Sequence, residues 1–219
     1  MRALTMILSL LLSAAVVAAQ PDDAVARLEA LLAASNTVHA NFHQVLTDAD
    51  GESVQEADGE LWVMRPDRFR WDYTEPFDQL IVSDGARVWI YDRELAQVTV
   101  KAIDNALASS PAALLSGSSA IRDSFEVLGT EVQGGLTTVS LAPLAQDTDF
   151  NRVDVVFDER QVRSLRLSDA LDQTTVLMLS DVERGQALDP ALFRFVAPEG
   201  VDVLGDAGPG TTDVPADGG

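Results

Sequence analysis

The sequence predicts a mainly β (α+β) fold, an unclosed antiparallel β-barrel of about ten or eleven strands with helices over its mouth. Segments of alternating apolar and polar residues recur along most of the chain, and such alternation is typical of half-buried strands. Turn sequences that contain Asp and Gly separate several of these segments, as they do in antiparallel hairpins. A long antiparallel sheet with few helices must curl to bury its apolar face, and an incomplete barrel with a helical cover achieves this.

The first nineteen residues, 1–19, are predicted to be a signal peptide outside the fold. Arg2 precedes an apolar run from Leu4 to Val17, which is too short to span a bilayer comfortably. Val17-Ala18-Ala19 has the small residues of a cleavage site, so Gln20 would begin the mature chain. An uncleaved membrane anchor is the alternative interpretation.

The rest of the chain is expected to form one exported domain, 20–204, followed by an acidic disordered tail, 205–219. It contains no cysteine, so neither lipidation on a thiol nor a disulfide is available. This absence fits a bacterial periplasm better than a eukaryotic extracellular space, and we expect a periplasmic protein.

A net charge of −20 repels nucleic acid and anionic lipid headgroups, so no nucleic-acid partner is expected. An acidic proteome is the alternative explanation of the charge.

The leading element is predicted to be an amphipathic helix that ends near Ser35. Asp22 or Asp23 caps it, and four apolar residues at helical spacing form one stripe: Val25, Leu28, Leu31 and Leu32. Alternation then predicts strands at 38–47, on either side of Arg65-Pro66 within 61–73, and at 79–82, 87–91 and 94–101.

The middle of the chain changes character. Residues 102–120 are rich in Ala, Ser and Leu and predict one or two short helices. Strand patterns return at 125–128, 136–141, 150–157, 162–167 and 174–182. Asp189-Pro190 predicts a short helical turn, and Phe193 and Phe195 are predicted to begin a last strand.

The sequence contains no nucleophile elbow, no His-Glu-x-x-His and no phosphate-binding loop. His39 and His43 lie four apart on a strand, roughly 13 Å from each other, which is too far to share a metal. The spacing of Asp48 and Asp50 fails as a calcium loop, and the loop at 147–151 lacks the required glycine. The sequence therefore predicts no metal, no cofactor and no catalytic residue.

The stretch 61–73 carries the most informative pattern. Phe69, Trp71 and Tyr73 share one face of a strand, and this face is broad and apolar. From composition alone, a closed core is the plainer interpretation of that face. Which of the three tryptophans face a cavity is left open by the pattern.

Arg65 interrupts this stretch together with Pro66. It follows Leu61 and Val63 at a period of two, so it should point to their apolar side. An unpaired guanidinium there costs several kcal/mol, so it needs carboxylates or the free carbonyls at helix C-termini. An arginine whose end reaches the solvent is the alternative.

Three segments together resemble the LolA family, the periplasmic outer-membrane lipoprotein carrier proteins of Gram-negative bacteria. They are Gly59 to Pro66 with Phe69 and Trp71, Gln79 to Gly85 with Val88 to Tyr91 and Gln97-Val98, and Phe193 to Phe195 with Pro198 and Gly200-Val201. The leading helix and Phe42-x-Gln44 also fit. The resemblance spans about residues 24–203.

The resemblance implies a half-barrel with a helical lid over a hydrophobic cavity. It also implies a monomeric, non-catalytic chaperone that takes acylated lipoproteins from an inner-membrane ABC-type releasing complex to an outer-membrane lipoprotein receptor. Arg65 aligns with a lid latch that hydrogen-bonds helix carbonyls. The expected acyl-binding cavity residues are Leu61, Val63, Phe69, Trp71, Tyr73, Leu80, Val82 and Trp89.

Two alternative functions are also compatible with the sequence. A related half-barrel could read acyl chains as a lipid-binding sensor, although such receptors are commonly tethered and this chain lacks the lipidation cysteine. A secreted hydrolase is the weaker alternative, because the chain lacks a nucleophile motif.

Overall fold

The computed structural model describes residues 21–103, 111–116, 120–146 and 148–205. The predicted signal peptide and the predicted tail beyond residue 205 lie outside these ranges, as do 104–110 and 117–119 of the predicted helical segment. Within the described ranges, no helix has both the length and the apolar composition needed to cross a membrane.

The described residues form three α-helices, one 3₁₀-helix and twelve strands. The helices are α1 (Pro21–Ala33), α2 (Pro111–Ser116), α3 (Ile121–Ser124) and the 3₁₀-helix (Pro190–Phe193). The first six strands are β1 (Thr37–Thr47), β2 (Ser53–Met64), β3 (Arg68–Glu75), β4 (Gln79–Asp84), β5 (Arg87–Asp92) and β6 (Gln97–Ala102). The others are β7 (Phe125–Gln133), β8 (Leu136–Pro143), β9 (Arg152–Phe157), β10 (Val162–Ser168), β11 (Thr174–Arg184) and β12 (Asp202–Gly205).

The strands form one open sheet in the order β12-β6-β5-β4-β3-β2-β1-β11-β10-β9-β8-β7. Every neighbouring pair is antiparallel except β12 and β6, which are parallel. Because β7 and β12 lie at opposite edges, the sheet is unclosed, and the predicted fold class is confirmed.

The largest differences from the predicted strand boundaries are at β2 and at the last strand. β2 begins at Ser53, eight residues before the apolar part of the stretch, because pairing with β1 extends the ladder through a polar segment. The last strand does not begin at Phe193 or Phe195, and this prediction is wrong. Phe193 ends the 3₁₀-helix, which Asp189 caps by accepting from the Ala191 N–H at 2.9 Å. The two phenylalanines are spaced like strand residues, but the ladder forms only at β12.

One face of the sheet carries the main core. α1 packs against β7 and β8, and α2 packs against β2 and β3. Ala24, Val25 and Leu28 of α1 are buried in the same apolar cluster as Leu61 and the other inward-facing strand residues. Full burial of one such leucine contributes about 1.5–3 kcal/mol. We call this helix-covered face of the sheet the concave face.

Candidate ligand-binding cavity

Arg65 lies directly after β2 and joins the ends of two helices. Its Nη1 donates to the carbonyl oxygen of Ser35, just past α1, at 2.6 Å. Its Nη2 donates to the carbonyl oxygen of Leu115, in the last turn of α2, at 2.5 Å. The last carbonyls of a helix have no partner inside the helix, and Leu115 O is one of these, whereas Ser35 lies two residues beyond the end of α1. Of the two kinds of partner predicted, carboxylates and helix carbonyls, the structure shows one helix carbonyl, Leu115 O, and one carbonyl just past a helix, Ser35 O.

The backbone of the same segment adds to this junction. The Arg65 N–H donates to Asn36 O at 2.8 Å, and the Asp67 N–H donates to Ser116 O at 3.1 Å. The ends of α1 and α2 are thus both held by the turn between β2 and β3, and Arg65 is the side chain that contacts both.

Burial determines the energetics of the Arg65 contact. Desolvation lowers the pKa of the guanidinium from its usual value, although arginine keeps its charge in proteins. Its Nε is buried without a hydrogen-bond partner among the described residues. The cost of removing a cation from water therefore offsets part of the stabilisation from the two charge-assisted bonds.

A cavity lies beneath this junction, between the helices and the concave face. Its lining is mostly apolar and consists of Leu31, Leu32, Ser35, Val38, Leu61, Val63, Arg65, Leu115, Gln161, Val162, Leu179, Val182 and Arg184. Its volume is about 40 Å³, whereas pockets for organic ligands typically measure about 300–1,000 Å³. A long acyl chain therefore does not fit in the cavity in this arrangement of α1 and α2.

The strand register shows which predicted residues share this face. Of the eight predicted cavity residues, Leu61 and Val63 line the cavity, whereas Phe69, Trp71 and Tyr73 lie outside its lining. Leu61 pairs with Trp71, and Val63 pairs with Phe69, so all four side chains lie on the concave face. All four belong to the one large apolar cluster, and Tyr73 packs against it.

An aromatic group continues the concave face away from Arg65. The Phe42 ring centroid lies 5.0 Å from that of Trp71 and 5.0 Å from that of Tyr73. Phe42 pairs across the ladder with Gly59, whose missing side chain leaves room for the ring. Phe42 is not among the residues predicted for the cavity, and it belongs to the concave face without lining the cavity. Its position in the pattern of β1 opposite a glycine was the available signal.

Tyr73 supports a prediction about pH. Its hydroxyl donates to Gln44 Oε1 at 3.0 Å, and burial raises its pKa to about 12 from an ordinary value of 10.0. The unfolded chain then loses this proton at a lower pH than the folded one, so stability falls between about pH 10 and pH 12. The full loss is about 2–3 kcal/mol. Urea unfolding at a series of pH values measures it.

The matched control for this prediction is Tyr73→Phe, which keeps the ring and removes the titrating group. Its stability should change less over this pH range than that of the wild type. Parallel pH curves for the two proteins would contradict the assignment to Tyr73.

Leu80, Val82 and Trp89 do not line the cavity, and this part of the prediction is wrong. Ile81, not Leu80 or Val82, pairs with Trp71 on the concave face. Val82 pairs in turn with Trp89, so both lie on the opposite face. β4 and β5 are apolar on both faces, and alternation alone therefore could not tell which side of each strand faces inward.

The opposite face of β5 and β6 has its own cover. Trp89, Val98 and Val100 form a second apolar cluster, against which Phe195 of the C-terminal segment packs. The ring centroids of Trp89 and Phe195 are 6.3 Å apart. Trp62 also lies away from the cavity and stacks on His39 at 5.0 Å, so Trp71 is the tryptophan of the concave face.

The two histidines lie on the face of the sheet opposite the concave face, which we call the outer face. His39 Nε2 is 3.0 Å from a Glu60 oxygen, and His43 Nδ1 is 2.8 Å from an Asp58 oxygen. In the part of the chain that the structure describes, no three His, Cys, Asp or Glu side chains are grouped so that they could hold a metal ion.

Comparison with known proteins decides the family. The family model described as outer membrane lipoprotein carrier protein LolA matches residues 33–196. The chain belongs to the LolA family. Proteins named outer-membrane lipoprotein carrier protein from Nitrosomonas europaea and Chromobacterium violaceum are each 40% identical to it, over 185 and 193 residues. These matches cover 84% and 88% of this chain and 90% and 93% of the relatives.

Solved structures agree on the fold. A LolA superfamily protein from Nitrosomonas europaea, 12% identical, aligns with a TM-score of 0.52 over 81% of this chain and 99% of its own. A DUF1329 family protein from Desulfovibrio piger, also 12% identical, aligns with a TM-score of 0.53 over 80% and 95%. The LolA half-barrel predicted from three short segments is thus the architecture observed.

Proposed function

We propose that this protein is a periplasmic chaperone that binds the acyl chains of lipoproteins and performs no catalysis. It takes them from an ABC-type releasing complex in the inner membrane and delivers them to a receptor in the outer membrane. Relatives named outer-membrane lipoprotein carrier protein support this role. The observation that carries it is the Arg65 bridge, which closes two helices over an apolar cavity.

The acyl chains of a lipoprotein are costly to expose to water. Each buried acyl CH₂ is worth about 0.8 kcal/mol, so a sixteen-carbon chain is worth roughly 12 kcal/mol. An acylated protein therefore does not cross an aqueous compartment unaided. A carrier must bury the chain and also give it up.

The Arg65 junction is suited to both requirements. Its hydrogen bonds form only when α1 and α2 are closed, so closure competes with occupation of the cavity by cargo. Because desolvation offsets the bonds, the competition is between states that differ by a few kcal/mol, and a partner can shift it. If apolar side chains held the two helices together instead, those side chains would fill the cavity and compete with the acyl chain for it.

Two other functions have less support. A lipid sensor on the same half-barrel would use the same cavity, but the relatives that cover most of this chain are named carriers. A hydrolase would need an activated nucleophile near the cavity, and the hydroxyl of Ser35 donates to Thr37 O at 2.8 Å instead of contacting a base.

Purification from the periplasm tests the proposal. Protein isolated without detergent, then analysed by mass spectrometry, is expected to carry acylated lipoproteins at a fraction well above that of an unrelated acidic periplasmic protein. Co-purification of phospholipid alone, or of no acylated molecule, would contradict the carrier role.

A further inference from the structure

A β-bulge interrupts the ladder between β1 and β11 beside the cavity. His39 pairs with Glu183, whereas Asn41 pairs with Ser180, so two residues of β11 oppose one of β1. Asp181 lies in the bulge with φ of 48°, in the left-handed region. Bulges of this kind re-aim the side chains that follow them and are common next to functional sites.

The bulge determines which charge faces the cavity. In an uninterrupted ladder Glu183 would oppose Val38, whose side chain lies on the concave face. With the extra residue, Arg184 pairs with Val38 and Glu183 pairs with His39 on the outer face. Glu183 accordingly lies 3.6 Å from His39 Nδ1. The extra residue thus replaces a carboxylate by a guanidinium at the mouth of the cavity.

Arg184 places a positive charge at the mouth of the cavity. Its side chain lines the cavity, is exposed, and makes no hydrogen bond or ion pair with any described residue. Arg65, by contrast, has both terminal nitrogens bonded to helix carbonyls. The described lining contains these two arginines and neither Asp nor Glu, although the chain has 35 acidic and 15 basic residues. The charge at the mouth is therefore opposite in sign to that of the chain.

An apolar cavity with a cation at its rim matches a molecule with an apolar tail and an oxygen-bearing head. We propose that Arg184 binds the carbonyl or carboxylate oxygens at the head of an acyl chain whose tail lies in the cavity. The guanidinium has several donors in a fixed plane, and such donors suit acyl oxygens. This inference rests on the proposed function, because it assigns a head-binding residue to the same cavity.

Three twelve-carbon ligands test it: monododecanoyl glycerol, dodecanoate and dodecanol. The first carries the ester of an esterified lipid, the second the carboxylate of a free fatty acid, and the third no acyl oxygen. Their affinities are measured by displacement of neutral N-phenyl-1-naphthylamine from the full chain. Arg184→Met keeps most of the apolar stem and removes the donors. It is expected to weaken the ester and the carboxylate about tenfold and to leave dodecanol within about twofold.

Two further variants make the test specific. Arg166→Met changes the net charge equally at an exposed position of β10 outside the cavity, and it should leave all three affinities unchanged. Glu183→Arg combined with Arg184→Glu keeps the composition and puts a carboxylate at the mouth. This exchange should weaken dodecanoate more than the ester, because only dodecanoate is repelled by charge.

The outcomes separate the two proposals. If the wild type binds all three ligands and Arg184→Met weakens none, or weakens all equally, the role of Arg184 is overturned and the carrier function stands. If the wild type binds none of them, both are overturned. Loss confined to dodecanoate would identify a free-acid site, and loss of the ester as well would fit ester-linked cargo.

Discussion

Replacing Arg65 by leucine is expected to block handover of lipoproteins while leaving their uptake intact. The substitution removes both bonds to Ser35 O and Leu115 O, which exist only when the helices are closed. Hydrogen bonds to a charged group are worth about 1.5–3 kcal/mol each, so the closed state loses much of its advantage. Cargo then stays in the open cavity because closure no longer competes with it. We expect transfer to the outer membrane to fall at least about tenfold.

A spheroplast assay separates the two steps. Release of labelled lipoprotein into the soluble fraction reports uptake, and its later incorporation into outer membranes reports handover. Arg65→Lys should give an intermediate result, because one ammonium does not reproduce the fork that contacts both carbonyls. Arg166→Leu is the matched control at an exposed position outside the cavity. Normal release together with normal transfer by Arg65→Leu would contradict the latch.

Replacing Gly59 by alanine is expected to destabilise the fold by about 3 kcal/mol. A Cβ at this position would lie 2.1 Å from the backbone oxygen of Asp72 and 2.6 Å from Cζ of Phe42. The first contact cannot be relieved by a rotamer change, because the oxygen belongs to the neighbouring strand. Relief therefore requires β2 and β3 to separate and the Phe42 ring to leave the aromatic group. Urea unfolding measures the loss.

Gly129→Ala is the matched control for this substitution. Gly129 also lies in a strand, and no atom is within 4 Å of the position of its Cβ. Its cost should be within about 1 kcal/mol. Phe42→Leu should fail to rescue Gly59→Ala, since the clash with Asp72 O remains. Equal stability of the two alanine variants would show that the sheet tolerates side chains beneath Phe42.

The accuracy of the sequence predictions depended on whether one face of a strand was polar. In β3 the alternation is clear, and Phe69 and Trp71 lie on the concave face as the pattern indicates. In β4, Leu80 and Ile81 are both apolar, so the alternation does not predict which of them lies on the concave face. Ile81 pairs with Trp71 across the ladder, and it is therefore Ile81 that lies on the concave face. Leu80, Val82 and Trp89 were consequently assigned to the wrong face.

The bulge in β11 is a second feature that alternation in the sequence does not predict. Val182, Glu183 and Arg184 follow one another without any local signal of an interruption. An insertion of one residue in a ladder reverses every side chain beyond it, so the charge at the cavity mouth could not be predicted from the alternation. Only the register against β1 assigns Arg184 to the inside.

The sequence by itself determined the open antiparallel sheet, the amphipathic leading helix and an arginine that had to find polar partners on an apolar side. These follow from local periodicity and from the cost of an unpaired buried charge. The tertiary structure alone decided that those partners are Ser35 O and Leu115 O, which join α1 to α2. It also decided which of two apolar faces each strand turns inward. Both depend on contacts between segments far apart in the chain, and no local pattern encodes them.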